Sequence, residues 1–298
     1  MRIRRGVILA AVLAGAAWFA GDMRRAAAQD SDVLLPEQSA AKAQQLIQQA
    51  ITALGGPAYL NLRDATCTEE VSNFEHSGEI SGYGKFIDFS IPPDKDRNEN
   101  LPKRNIIYVY NGDKGWTLDR GGVGEMPAPD LAKFQGDVEN DIDNILRRRI
   151  HEPGMVFRYA GQDLVDGWPV DWVELVDSQD RTYRIALSQS SHLPVRKTVE
   201  TRDPDTRQKT EEVDYYSNYQ TIGGLVIPLQ FRRDRNGMKA VQAFLRKDEG
   251  LNEPCEFNTG LAESLFTKES LEERWGKIGK KDREKEKKKK EKDAAAGE

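Results

Sequence analysis

Two cysteines, three histidines and no catalytic signature motif occur in this chain of 298 residues. His76, His151 and His192 each stand in or beside turn-forming sequence, far from one another, and no pair has metal-ligand spacing. Neither Cys67 nor Cys255 has a CxxC partner. No HExxH, no GxSxG elbow and no phosphate-cradling loop is present. Gly121-Gly122-Val123-Gly124 is rich in glycine, but it leads into a proline-bearing loop rather than opening a helix. Asp and Glu are so abundant that any carboxylate pair is uninformative. The expectation is a binding protein, with no catalytic residue, no metal and no cofactor.

A long apolar run is also missing. Gly6 to Ala20 gives about fifteen small and apolar residues, short of the roughly 20 that a spanning helix needs. Arg2, Arg4 and Arg5 precede the run and Ala26-Ala27-Ala28 follows it. Residues 1–28 therefore read as a signal peptide, with Gln29 or Asp30 starting the mature chain. A membrane anchor is the bland alternative. Export to the periplasm is expected, with no transmembrane segment in the mature chain. No Pro/Gly/Ser linker divides what remains, so residues 29–276 are expected to form one domain.

A basic stripe is absent from this body. Residues 1–28 carry +4 and residues 277–298 carry +4, so residues 29–276 carry −13 of the net −5. A body of that sign does not suit nucleic acid. The Lys/Glu-rich segment 277–298 has no apolar face; it reads as a disordered or helical solubility tail, or as a tether to an acidic surface. Export makes a Cys67–Cys255 disulfide plausible. Edge strands would meet only in a sheet that curls back, so two separate buried thiols stay open as the alternative.

What is present is β-pattern. Arg63–Phe74, Glu79–Ile91, Asn105–Tyr110 and Gly115–Asp119 read as strands; Pro92–Pro102, full of charge and proline, reads as a loop or frayed edge. Seven more follow: Val156–Ala160, Val170–Val176, Thr182–Leu187, Val195–Glu200, Thr210–Tyr219, Leu225–Arg232 and Lys239–Leu245. Turn signals separate them, including Asp203 to Asp205, and Asn236-Gly237 is the strongest. The sheet is expected to be antiparallel and strongly curved. Two helices accompany it. Pro36–Leu54 places Leu46, Ile47, Ala50, Ile51 and Leu54 on one stripe. Asp130–Ile150 repeats Leu131, Phe134, Val138, Ile142 and Ile145, with Arg147, Arg148 and Arg149 near its C-terminus, where cations favour the helix dipole. The fold class is α+β: an unclosed β-barrel with two amphipathic helices over its concave face.

The apolar residues that face inward are candidates for a ligand cavity: Leu131, Phe134, Ile142 and Ile145 from the second helix, and Phe157, Tyr159, Val173, Leu175, Tyr183, Ile185, Phe231 and Phe244 from the strands. They line a cavity if the sheet bends more than the helices fill, and are plain core otherwise.

Several segments carry a resemblance. The first helix ends Ala53-Leu54-Gly55-Gly56, and Asn111-Gly112-Asp113-Lys114-Gly115-Trp116 forms a hairpin. Gly161 to Val170 precedes a Val-Glu-Leu strand. Leu193-Pro194-Val195 and Tyr216-Ser217-Asn218-Tyr219 lead to Gly223–Pro228. Over roughly residues 37–268 the chain resembles the outer-membrane lipoprotein-sorting family, the periplasmic lipoprotein carriers and their relatives. The resemblance implies a bent, unclosed antiparallel barrel, a helical lid, and a lipid or acylated protein as partner, its acyl chain held in the concave face. The Lys-rich tail and the Pro92–Pro102 segment depart from the carriers, and no lid-locking basic residue is carried over. An envelope scaffold with a filled core, docking other envelope proteins, is the competing expectation.

Overall fold

The computed structural model describes residues 34–202, 209–248 and 250–279. The signal peptide, the Asp203–Asp205 turn and the tail beyond residue 279 lie outside the described residues. Four helices precede or interrupt the strands: α1 (Pro36–Ala53), α2 (Pro57–Leu60), α3 (Ala128–Asn140) and α4 (Ile142–Arg147). A fifth, α5, spans 268–279. The first strands are β1 (Ala65–Phe74), β2 (Ile80–Ile91), β3 (Lys95–Asn100), β4 (Ile107–Asn111), β5 (Lys114–Asp119) and β6 (Gly122–Glu125). After α4 come β7 (Val156–Val165), β8 (Trp168–Val176), β9 (Thr182–Ser188) and β10 (Pro194–Arg202). The chain then adds β11 (Lys209–Ile222), β12 (Leu225–Arg235), β13 (Met238–Leu245) and β14 (Cys255–Phe257). No helix among the described residues is long and apolar enough to cross a membrane.

All fourteen strands join one antiparallel sheet that curves without closing, in the order β6-β5-β4-β3-β2-β1-β13-β12-β11-β10-β9-β8-β7. The edges are β6 and β7, so the first and last thirds of the chain meet in the middle of the sheet, at β1 and β13. β14 takes the remainder of the same edge of β1, and Cys67 faces Cys255 there directly. The two cysteines are joined, with Cα atoms 4.1 Å apart. They meet across neighbouring strands, so no curling together of sheet edges is needed.

Type I′ chemistry fixes two of the hairpins. Asp166-Gly167 and Asn236-Gly237 both have positive φ at each turn residue, which Asn, Asp and Gly tolerate best.

Two layers cover the sheet, on opposite faces. On the concave face α1 with its C-cap buries Leu46, Ile47, Ile51 and Leu54, and α4 buries Ile142, Ile145 and Leu146. They pack on Val173, Leu175, Tyr183, Ile185, Leu187 and Val199 of β8–β10. The four large α1 residues contribute roughly 6–12 kcal/mol before conformational entropy is subtracted. On the reverse face Phe266 and the α5 residues Leu271 and Ile278 pack on Ile107, Val109 and Leu118 of β4 and β5. Nothing in the sequence pattern announced this second cover.

Three sequence expectations need correction. Pro92–Pro102 is not a loop: β3 lies inside the sheet between β2 and β4. Its buried residues are Arg97 and Glu99, paired at 2.6 Å, with Arg97 also donating to the Leu265 carbonyl and Ser270. Charges that find partners from the C-terminal segment can be buried, but their strand looks wet when read locally. The second helix is two helices. Asp141 stands at ψ 135° between them and accepts from the Asp143 and Asn144 backbone N–H groups; an N-cap side chain restarts the helix there. Lastly, Arg149 does more than favour a helix dipole. It is buried, bonds Asp177 at 2.9 Å, Glu152 and the Tyr183 hydroxyl, and so ties the segment after α4 to β8 and β9.

Candidate functional site

The described residues line a partly open cavity of about 500 Å³ between α3–α4 and the concave face of β1–β3 and β11–β13. Its size lies within the range of small-molecule sites. One wall is apolar: Leu225, Ile227 and Phe231 from β12, Leu245 from β13 and Phe257 from β14. Phe134 and Val138 of α3 and Ile142 of α4 face them. Tyr59, Tyr216 and Tyr219 add ring surface. Their hydroxyls are engaged: Tyr59 donates to Asp143 at 2.6 Å and Tyr219 to the Pro194 carbonyl at 2.6 Å. Burial, then the Asp143 carboxylate, pushes the Tyr59 hydroxyl pKa well up, so both rings present neutral surface.

The opposite wall is acidic. Cys67, Asp88 and Asn98 face one another across β1, β2 and β3, and Ser90 faces Asp96 in the next register position. Asn98 donates to Asp88 at 2.5 Å. Glu69, two residues from Cys67, shares this face. Burial first, then the charges of Glu69 and Asp96, raises Asp88 well above the carboxylate range. Burial and Glu69 lift Asp96 to about 7, and burial raises Glu69. The three are half-buried and Asp96 lines the cavity. Cavity water therefore moderates the shifts, and an apolar occupant strengthens them.

This cluster sets a pH dependence. A raised folded-state pKa means that the native state binds more protons than the unfolded chain between about pH 4 and 7. Stability then falls as pH rises through that window. One proton taken up is worth about 1.4 kcal/mol per pH unit, or about 2–4 °C in Tm. Thermal unfolding at pH 5 and pH 7.5 should show the higher Tm at pH 5. Asp88→Asn should raise Tm at pH 7.5 and flatten the difference; an unchanged slope in that variant would remove the cluster as its cause.

Polar links hold α3 over the cavity, since none of its side chains is fully buried. Arg233 of β12 reaches Asp137 at 2.7 Å and grips Asp214 with two bonds, at 2.6 and 3.0 Å. Lys197 of β10, with 0% of its surface exposed, pairs with Asp214 at 2.7 Å and donates to the Asn140 carbonyl. Burial opposes ionisation of Asp214, but Lys197 and Arg233 together hold its pKa below the ordinary range. Phe134 stacks on Tyr110 of β4 with centroids 3.9 Å apart.

The twelve candidate lining residues separate into groups. Phe134, Ile142 and Phe231 stand at the cavity. Ile145, Val173, Leu175, Tyr183 and Ile185 are packed solid beneath α1 and α4, because both helices lie over β8–β10 rather than over β1–β3. Phe157 is partly buried at the rim of that core. Tyr159 is tied to Asp171 at 2.8 Å, with the Lys42 ammonium 3.6 Å from its ring centre. Leu131 lies over Gly115 of β5. Phe244 points to the reverse face, opposite Gln230 and under Arg246. The acidic wall and the Lys197–Asp214–Arg233 group escaped the sequence, because their members are scattered over 165 positions and only the sheet register unites them. Among the described residues no group of three or more His, Cys, Asp or Glu is placed to hold a metal.

No protein-family model matches the chain, and no curated protein does. Solved structures share its fold. A DUF1329 family protein from Desulfovibrio piger is 13% identical and superposes with a TM-score of 0.52 over 77% of this chain and 98% of that one. A LolA superfamily protein from Nitrosomonas europaea is 11% identical, with a TM-score of 0.50 over 77% and 99%. A putative outer membrane lipoprotein-sorting protein domain from Vibrio parahaemolyticus is 12% identical, with a TM-score of 0.50 over 78% and 99%. The likeness to the lipoprotein-sorting proteins is one of fold.

Proposed function

We propose that this protein is a non-enzymatic carrier or sensor of the periplasm that holds the acyl chain of a lipid or acylated protein in the cavity beneath α3 and α4. The observation that carries this reading is the cavity itself, about 500 Å³ with an apolar wall. A scaffold with a filled core would leave no such space. The fold shared with LolA superfamily and lipoprotein-sorting structures supports the reading, as does the export signal in the sequence. Residues 29–276 form the carrier unit in this view, released near Ala28.

The energetics are adequate. Ten buried methylenes contribute about 8 kcal/mol, which corresponds to micromolar affinity before ordering costs. The polar links of α3 are the natural place to open. They are few and include the half-exposed Asp137, so they break at lower cost than the α1 core. Native mass spectrometry of protein purified without detergent from exporting cells should show a species heavier than the polypeptide by one or more acyl-bearing molecules. A spectrum holding only the bare chain, before and after incubation with fatty acid, would count against the reading.

A further inference from the structure

The reverse face of the sheet is covered over β2–β5 by Phe266 and α5, and is open over β8–β13. Directly paired residues share a face, so one cross-strand row can be read there: Trp172, Ala186, Arg196, Tyr215, Arg232 and Gln242, from β8 to β13. Cations and rings alternate along it. The Arg232 guanidinium lies 3.8 Å from the Tyr215 ring centre, and Arg196 lies between Tyr215 and Trp172 at 5.3 and 5.9 Å. Arg184 stacks on Trp172 from the other side. Arg232 pairs with Asp234 at 3.1 Å; among the described residues no carboxylate pairs with Arg196 or with Lys239. This row borders a groove of about 770 Å³ that runs to the β7–β8 hairpin tip. At that tip Leu164 and Trp168 are 62% and 74% exposed, on the edge hairpin of the sheet. Read by the same register, the described side chains of this face from β7 to β13 include six cations (Arg158, Arg184, Arg196, Lys209, Arg232, Lys239) and five carboxylates (Asp163, Glu174, Glu200, Glu211, Asp234), a slight positive excess on a body that is otherwise strongly acidic.

We propose that this face docks on the surface of an anionic lipid bilayer, with Trp168 entering the headgroup layer and Arg196, Arg232 and Lys239 meeting lipid phosphates. The combination fits that partner. Exposed Trp and Tyr settle at the membrane–water interface, guanidinium groups bind phosphate oxygens in pairs, and each surface cation near an anionic leaflet adds about 1 kcal/mol. An acidic protein partner would use the cations but has no need of a protruding Trp168. The inference is independent of what the cavity holds.

The test is co-sedimentation of the full chain with vesicles of phosphatidylglycerol and phosphatidylcholine, against vesicles of phosphatidylcholine alone, at low and high salt. Binding to the anionic vesicles should be at least tenfold tighter and should weaken with salt. Trp168→Ser and Arg196→Gln/Arg232→Gln should each lower it at least fivefold. Trp168 is exposed, so folding of the first variant should be unchanged by circular dichroism. A blue shift of tryptophan emission on vesicle binding should shrink in Trp168→Phe. Equal binding by both variants would assign the attraction to the Lys-rich tail and overturn the proposal. Full competition by soluble polyglutamate with no emission shift would overturn it in favour of an acidic protein partner.

Discussion

Asp214→Ala should destabilise the protein by about 3–5 kcal/mol, the cost of leaving a buried charge without its partner. Lys197 is fully buried, and Asp214 is the carboxylate that pairs with it, at 2.7 Å. Arg233 would lose both of its bonds to Asp214 in the same step. Lys197→Met should cost much less, because Asp214 keeps Arg233 and the desolvated amine is gone. By comparison, the exposed Lys133–Asp137 pair is worth about 0.3–0.5 kcal/mol. Chemical unfolding of the three proteins at pH 7 measures the difference. A loss below about 1 kcal/mol in Asp214→Ala would mean that water reaches Lys197. The variant also tests the lid, because Arg233 and Lys197 both reach α3. An acyl probe should leave it faster than it leaves the wild type.

The second large effect is expected from Cys67→Ser/Cys255→Ser. The cysteines are 188 positions apart in sequence. In the loop-closure account, a link of that span removes about 5 kcal/mol of unfolded-state entropy, and loss of a native bridge commonly costs about 2–5 kcal/mol. More than entropy depends on it. β14 is three residues long, and beyond it Asp64 accepts from the Thr259 and Gly260 backbone N–H groups, at 2.7 and 3.0 Å. Those bonds aim the chain toward Phe266 and α5. The double variant should therefore unfold at lower denaturant and be cut first by protease between β14 and α5. Unchanged stability, or two free thiols in the exported wild type, would contradict this.

The legible part of this molecule was local. The α1 stripe, the Asn236-Gly237 turn and most of the β7–β13 meander follow from periodicity and turn chemistry within ten or twenty residues. The bent, open antiparallel sheet with helices on its concave face followed from these together with the resemblance. What escaped was set by distant partners. β3 hides Arg97 and Glu99 because Leu265 and Ser270 come to meet them. Asp141 divides the lid helix although the apolar repeat runs through it unbroken. The cavity lies over β1–β3 and β11–β13, whereas β8 and β9, the strands with the longest buried runs, are filled core. Inward-facing apolar residues marked where packing is possible, but only the seat of α1 and α4 decides which of them remain uncovered.

The most direct measurement is the titration of a fluorescent fatty acid into delipidated protein and into Val138→Trp, whose larger ring would fill the cavity from α3, a helix with no fully buried residue. The wild type should bind one probe saturably with micromolar affinity, and Val138→Trp should bind at least tenfold more weakly while melting at the same temperature. Absent or non-saturable binding in the wild type, or equal binding in Val138→Trp, would contradict an acyl chain in this cavity.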